Sequence, residues 1–451
     1  MSELPCFKAY DIRGRLPDEL NVDIAYRIGR AYARVVRPQR VVTGRDVRLS
    51  SAELQNALAL GLIDQGVEVH DIGLCGTEEV YFATFEYDFD GGIMVTASHN
   101  PMDYNGMKLV REGSRPIGAD TGLADIEALV AEDTEVCPEE QAALTPLAHR
   151  EDYVRHLLGY VDLADLKPLT ILVNAGNGPA GLVVDALEPE LPFRFERLHH
   201  EPDGRFPNGI PNPILLENQP VTAQAVRAAG ADFGVAWDGD FDRCFFFDER
   251  GEFIEGYYVV GLLAEALLRE NPGSTIVHDV RMTWNTIDIV AAGGGEAVQS
   301  KTGHAYIKQI MRENDGLYGG EMSAHHYFRR FAYCDNGNIP WLLVAALLSK
   351  TGKPLSSLVA ERIAAYPASG EINRRVADPE AAIARVYARY GEEAVAENRL
   401  DGLTLEFPQW RFNLRKSNTE PVTRLNVESR GDRALMQAKT RELLALIEGA
   451  N

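Results

Sequence analysis

Cysteine is sparse. Five are spread over 451 residues (Cys6, Cys75, Cys137, Cys244, Cys334), and no two form a CxxC pair. That spacing argues against a disulfide framework or a cysteine zinc site and fits a reducing compartment, so a cytoplasmic protein is expected. Long apolar runs are also missing. None reaches the roughly 18–20 residues that cross a bilayer, so no membrane partner is expected. The opening stretch MSELPCFKAYDIRG has no basic segment followed by an apolar one and does not read as a secretory signal. Positive charge is in short supply: 45 Lys+Arg stand against 67 Asp+Glu, a formal net charge of −22. A surface of that sign opposes phosphate neutralisation along nucleic acid, so no nucleic-acid partner is expected. What is present suits a globular chain, with 45% hydrophobic and 25% charged residues, too apolar for disorder. The length allows about three domains, and two or four are compatible with it.

Strand-like and helix-like segments alternate along most of the chain. Residues 22–37 place Ala25, Ile28, Tyr32 and Val35 at helical spacing, and Arg40 to Thr43 then reads as a strand. Ser50 with Glu53 has the pattern of a capping box, opening a helix with Leu54, Ala57, Leu58 and Leu62 on one face and Gly66 at its end. Gly91 to Ser98 reads as a buried strand, and the alternation returns after residues 168 and 274. This rhythm predicts mostly parallel sheets covered by helices. Four segments are expected: 1–145, 146–252, 253–367 and 368–451.

Four constellations carry chemistry. Thr96-Ala97-Ser98-His99-Asn100-Pro101 follows the buried strand, so Ser98 stands at a strand's carboxyl end, where open α/β sheets place ligands. The GxSxG elbow of serine hydrolases is absent. Asp238-Gly239-Asp240-Phe241-Asp242-Arg243 lies between two strand-like runs and packs three carboxylates together, a set of hard oxygens suited to Mg²⁺ or Ca²⁺. Glu249 falls at the twelfth position of an EF-hand, but Arg243 replaces its glycine and the flanks are not helical. Gly320-Glu321-Met322-Ser323-Ala324-His325 offers an acceptor and a donor two residues apart, a pair that suits adjacent sugar hydroxyls. Arg415-Lys416-Ser417-Asn418-Thr419, with Arg424 beyond, lies in residues 409–433, where six basic and three acidic side chains give a local +3. Arginine beside hydroxyls and turn amides makes a phosphate cradle. A fifth motif, Gly176-Asn177-Gly178-Pro179-Ala180-Gly181 with Glu196 twenty residues on, matches the dinucleotide fingerprint. Pro179 equally fits the first turn of a helix, with glycines for close packing.

Together these segments resemble the α-D-phosphohexomutase superfamily, most closely its bacterial phosphomannomutase/phosphoglucomutase branch. The match runs from Phe7-Lys8-Ala9-Tyr10-Asp11-Ile12-Arg13-Gly14 to Thr423-Arg424-Leu425-Asn426-Val427-Glu428, with TASHNP, DGDxDR, GEMSxH and RxSNT in that order. The resemblance implies an α/β fold: three related mixed-sheet α/β domains and a smaller C-terminal α+β domain around a central cleft. It implies a phosphorylated Ser98, with Asp238, Asp240 and Asp242 holding Mg²⁺ together with a phosphoserine oxygen. Glu321 and Ser323 would grip sugar hydroxyls, and Arg415, Ser417, Asn418 and Thr419 the non-reacting phosphate. Arg13, Lys108, His304 and His325 correspond to active-site positions of the family. Phe241 departs from a glycine common there, and Arg281 from a phosphate-contacting lysine, keeping the charge but altering the reach.

From these parts follows an expected mutase acting on mannose 6-phosphate and mannose 1-phosphate, and on the glucose phosphates, through a hexose 1,6-bisphosphate that also serves as activator. A role in GDP-mannose supply is implied by the resemblance alone. Arg243 joins Arg13 and Lys108 as neutralisers of phosphoryl charge. Arg13, Lys108, Arg243, Arg281, Lys301, Arg415 and Arg424 are expected to converge, making a positive cleft in a negative body for an anionic substrate. The C-terminal domain is expected to swing during reorientation. A monomer or weak homodimer is expected. The rivals are a phosphoglucosamine mutase, a Mg²⁺-dependent phosphatase, and a non-catalytic sugar-phosphate or calcium binder.

Overall fold

The computed structural model describes residues 4–416 and 422–449. It divides into two compact units, Met1–Phe253 with His325–Gly352, and Ile254–Ala324 with Lys353–Asn451.

In the first unit, the strand Arg40–Arg45 pairs parallel with both Gly91–Val95 and Glu68–Leu74. Tyr104–Arg111 then runs antiparallel to Gly91–Val95 and to Ile12–Arg15, so the sheet is mixed. Gly91–Val95 is buried along its whole length, as a central strand covered on both faces must be. The expected helix is Val22–Val36, with the Asn21 side chain accepting from the Ile24 amide at 3.0 Å. Ala25, Ile28 and Tyr32 are buried as the spacing required. The capping box at Ser50 does not form. Its backbone is already helical (φ −84°, ψ −12°), and its Oγ accepts from Asn105 Nδ2 at 2.8 Å.

A second sheet in this unit has the order Cys244–Asp248, Phe233–Trp237, Thr170–Asn174, Arg194–Leu198. Its last three strands are parallel and its first antiparallel. The glycine-rich motif joins Thr170–Asn174 to the helix Ala180–Leu187. A Cβ on Gly181 would sit 2.5 Å from the His200 carbonyl, so that glycine admits close packing of the helix on the loop that follows Arg194–Leu198. Glu196 pairs with Arg194. The hairpin His326–Phe328 and Cys334–Asp335 and the helix Ile339–Thr351 complete the unit.

In the second unit, Thr275–Asp279 lies parallel between Glu296–Ser300 and Tyr318–Gly320. The C-terminal sheet is antiparallel throughout, in the order Ile372–Arg375, Val422–Ser429, Trp410–Lys416, Leu403–Glu406, Ala396–Asn398. The helices Pro379–Tyr390 and Arg433–Glu448 contribute Val386, Tyr390, Leu443 and Ile447 to its core, against Phe412, Leu414 and Val427. This is the α+β domain expected from the sequence. Among the described residues no single helix is long and apolar enough to cross a membrane.

One packing feature sets the acid response. His156, on the helix Arg150–Leu158, lies between Phe82, Phe85, Tyr160 and Phe331, with ring centroids 5.4–5.7 Å away. Burial, reinforced by the Arg330 charge, pushes its imidazole down to about 4 from 6.5. The unfolded chain therefore binds this proton first as the pH falls. Stability from this site is intact above pH 6.5 and is lost between pH 6.5 and 4. His156→Phe is expected to flatten the acid limb of the unfolding curve by about 3 kcal/mol across that window. Urea denaturation at a series of pH values checks it.

Candidate active site

The first unit gathers Ser98, Arg13, Lys108, Asp238, Asp240, Asp242, Arg243 and His325. Ser98 follows the strand Gly91–Val95 and has φ +49°, a left-handed backbone that costs an L-residue about 1–2 kcal/mol. The strain is held by its surroundings. The Ser98 amide donates to Thr96 Oγ1 at 2.9 Å, and Thr96 in turn donates to Asp46. The buried Arg48 guanidinium donates to the Ser98 carbonyl at 3.0 Å and to the carbonyls of Asn100, Pro101 and Tyr104. One arginine thus fastens the whole serine loop, and the hydroxyl is left to donate to Asp238 Oδ2 at 2.7 Å.

The three aspartates leave the end of the strand Phe233–Trp237. They are 0–1% exposed, and one oxygen from each lies within 4.8 Å of the others. Their Oδ2 atoms are engaged: Asp238 by Ser98 and Arg243, Asp240 by Thr77 and Lys108, Asp242 by Lys108. Each Oδ1 is buried and accepts no hydrogen bond from the described residues. Buried acceptors are paired as a rule, and three carboxylates gathered this closely match the hard-oxygen donor set of Mg²⁺. The residues present fit the ion. Burial and the Asp240 charge push the Asp242 carboxyl up to about 6. Burial acts on Asp240 in the same direction, but Lys108 and Thr77 outweigh it and hold that group below the carboxylate range.

Phe241 occupies its glycine-like position at φ +46° without dislodging the carboxylates. Its buried ring fills space that a Cβ on Gly76 would take, only 2.3 Å from ring atoms, so the aromatic is accommodated by a missing side chain opposite. Gly239 makes the contact between the two loops: a Cβ there would lie 2.4 Å from the Ser98 carbonyl oxygen. Backbone on both sides leaves little room to yield. Gly239→Ala is therefore expected to lower turnover at this site about 100-fold while the circular dichroism spectrum stays that of the parent.

Around this core, Arg13 donates to Asp11 at 2.7 Å and to Asn100 at 2.6 Å. Arg243 reaches His99, and burial together with the Arg243 and Arg13 charges holds the His99 imidazole well below its usual value. His325 pairs as a β-bridge with Arg243, and its Nδ1 lies 2.9 Å from Asp335 Oδ2.

The second unit holds Arg281, Lys301, His304, Glu321, Ser323, Arg415 and Arg424. Arg281 donates to Asp279 at 2.7 Å and to Ser323 at 3.2 Å, and lies 3.6 Å from Glu321. The Gly303 amide donates to Glu321 Oε1 at 2.9 Å, placing His304 at the start of the helix His304–Glu313 beside it. Arg281, Arg415 and Arg424 meet on one carboxylate, Glu371, at 3.4, 2.9 and 3.4 Å. Burial alone would raise Glu371, but these three cations outweigh it and keep it ionised. Lys301 is exposed, with Nζ over the Tyr306 ring. Ser417, Asn418 and Thr419 lie outside the described residues.

Four domain families cover nearly the whole chain. Phosphoglucomutase/phosphomannomutase alpha/beta/alpha domains I, II and III match residues 5–136, 151–251 and 255–366, and the C-terminal domain of the same name matches 371–445. The chain belongs to the phosphoglucomutase/phosphomannomutase family. It is 61% identical over 455 aligned residues to a phosphomannomutase of Salmonella typhimurium, covering 99% of this chain and 100% of the relative. It is 60% identical over 446 residues to a Xanthomonas campestris protein named phosphohexose mutases, with the same coverage. A crystal structure of a phosphoglucomutase/phosphomannomutase family protein from Burkholderia thailandensis superposes with a TM-score of 0.88 at 33% identity, covering 100% of this chain and 99% of that one.

Four supporting residues of this family member escaped the sequence reading: Arg48, Thr77, Asp335 and Glu371. Arg48, Thr77 and Glu371 are remote in sequence from the groups they serve, and Asp335 reaches His325 from 10 residues on. A weak signal existed for Arg48, in the Asp46-Val47-Arg48 run directly after a parallel strand.

Proposed function

We propose that this protein is a phosphohexomutase that moves a phosphoryl group between O1 and O6 of a hexose, with Ser98 as the carrier and mannose phosphate as the foremost substrate. The observation that carries the reading is the Ser98 hydroxyl, 2.7 Å from Asp238, beside three buried carboxylates that each keep an Oδ1 without a donor among the described residues. The relatives named phosphomannomutase support the choice of sugar.

In the first half-reaction the O1 hydroxyl of hexose 6-phosphate attacks the phosphorus of phospho-Ser98. The P–Oγ bond breaks, Ser98 is left free, and the sugar becomes a 1,6-bisphosphate. In the second, the turned-over sugar presents its other phosphate. Ser98 Oγ attacks it, the bond from phosphorus to sugar O6 breaks, and hexose 1-phosphate leaves. Lys108, Arg243 and Arg13 neutralise the equatorial oxygens, since phosphoryl transfer is catalysed mainly by positioning and charge. His325, oriented by Asp335, exchanges the hydroxyl proton. Asp238, Asp240 and Asp242, with an oxygen of the phosphoserine, would hold Mg²⁺, which when bound adds positive charge at the transferring group. In the second unit Glu321 and Ser323 read ring hydroxyls, and Arg415 with its neighbours holds the phosphate that does not react.

The test is turnover of mannose 1-phosphate, glucose 1-phosphate and glucosamine 1-phosphate side by side, with and without glucose 1,6-bisphosphate. Isomerisation of mannose 1-phosphate stimulated by the bisphosphate is expected. Release of inorganic phosphate as the main product would make the protein a phosphatase, and preference for the amino sugar would make it a phosphoglucosamine mutase.

A further inference from the structure

The second sheet of the first unit holds a cavity that the proposed reaction does not use. From Thr170–Asn174 the chain crosses by the helix Ala180–Leu187 to Arg194–Leu198 on one side. It then returns by the helix Gln219–Ala229 to Phe233–Trp237 on the other side. All three strands are parallel. Where connections leave in opposite directions, the carboxyl ends of the two strands open a crevice, and open α/β sheets bind ligands there. A cavity of about 290 Å³ occupies this place, lined by Asn174 and Gly176 from one strand end, Trp237 from the other, and Asn212, Val221 and Thr222. Neither Ser98 nor the three aspartates are among its lining residues.

The polar groups are arranged. Asn174 donates to Thr222 Oγ1 at 2.8 Å and accepts from the Gly176 amide at 3.0 Å, which fixes its side chain across the crevice. Asn218 donates to the Asn212 carbonyl at 2.9 Å, tying the loop to the helix. Asn212 Oδ1 is buried and accepts no hydrogen bond from the described residues. A buried amide oxygen of this kind calls for a donor.

Charge decides the ligand class. Among the described residues the lining contains no lysine or arginine, and its one carboxylate is Glu217. Burial holds His199 below its usual value, so it brings no cation at neutral pH. A phosphate or a dinucleotide would have nothing to pair with. Ile210, Pro211, Pro213 and Val221 supply apolar surface between the amides, which suits a ligand with both hydroxyl and C–H groups. We propose that this switch-point cavity is a second small-molecule site, which takes an uncharged polyhydroxylated ligand about the size of one sugar ring.

The test uses D-mannose, D-glucose and myo-inositol as probes of the full-length protein, by saturation-transfer NMR with glucose 1,6-bisphosphate present to fill the catalytic site. Saturable binding of at least one probe is expected, with a Kd on the order of 1–10 mM. Val221 is 42% exposed, so Val221→Trp fills the cavity from the surface. It is expected to weaken binding at least about tenfold with mutase turnover unchanged. Asn212→Leu is expected to weaken it to a similar degree. The proposal is overturned if no probe saturates, if Val221→Trp leaves binding intact, or if the bisphosphate displaces the probe. These results are independent of the mutase assay, so the two readings fail separately.

Discussion

Ser98→Ala is expected to fold as the parent does and to lose about 10⁴-fold or more of its mutase turnover. The loss is large because the hydroxyl is the carrier itself, and no neighbouring group can accept the phosphoryl in its place. His99 is adjacent, at 3.0 Å from Ser98 Oγ, yet its imidazole is committed to Arg243. The fold survives because the loop is fastened by backbone contacts. The amide of residue 98 keeps Thr96 Oγ1, its carbonyl keeps Arg48, and Asp238 keeps Arg243 when the hydroxyl goes. Alanine at φ +49° bears about the strain that serine bears. Steady-state kinetics with a thermal melt separates the two effects: turnover falls to background while the melting temperature moves by a few degrees.

Lys108→Met is expected to damage stability and catalysis together. Lys108 is 6% exposed and bonds both Asp240 and Asp242. Burial opposes its charge, but the two carboxylates outweigh burial and hold the ammonium above its usual value. Removing it leaves three buried carboxylates with Arg243 as their main counter-charge. Truncating one partner of a buried pair costs about 3–5 kcal/mol, because the remaining charge stays buried. Urea unfolding in the presence of a chelator should show that loss. Magnesium should restore part of it, since an ion bound to the native state alone stabilises by mass action. Turnover should stay about 100-fold down or more even in magnesium, because a charge aimed at the transferring phosphoryl is gone. A variant as stable as the parent in chelator would contradict this account of the carboxylate cluster.

Legibility in the sequence followed chain continuity. Ser98 and the DGDFDR aspartates could be found because the chemistry is written in one short segment at a strand's end, and strand ends can be located by hydrophobic pattern alone. The C-terminal α+β domain was legible too, since its strands carry Phe412, Leu414, Leu425 and Val427 as apolar alternation and its helices close on them. What could not be read was support across the fold. Arg48 holds carbonyls up to 56 residues away, and Asp335, at the end of its own short strand, reaches His325 just ahead of the strand His326–Phe328. Glu371 collects three arginines that only tertiary folding brings together. The same limit produced the failed capping box: Ser50 obeys the local pattern until Asn105, 55 residues on, takes its hydroxyl. Phe241 ran the other way. The sequence marks it as a departure from the family's glycine, and Gly76 supplies the room for its ring, a partner no linear motif contains.

The carrier role of Ser98 is tested most directly by intact-peptide mass spectrometry of the Ser98 segment. The protein is first incubated with glucose 1,6-bisphosphate and then with excess mannose 6-phosphate. The account predicts a gain of about 80 Da on that serine after the first step and its retention through turnover in the second, since each cycle returns a phosphoryl group to Ser98. A peptide that never gains this mass, in a preparation that still isomerises mannose phosphate, would contradict it.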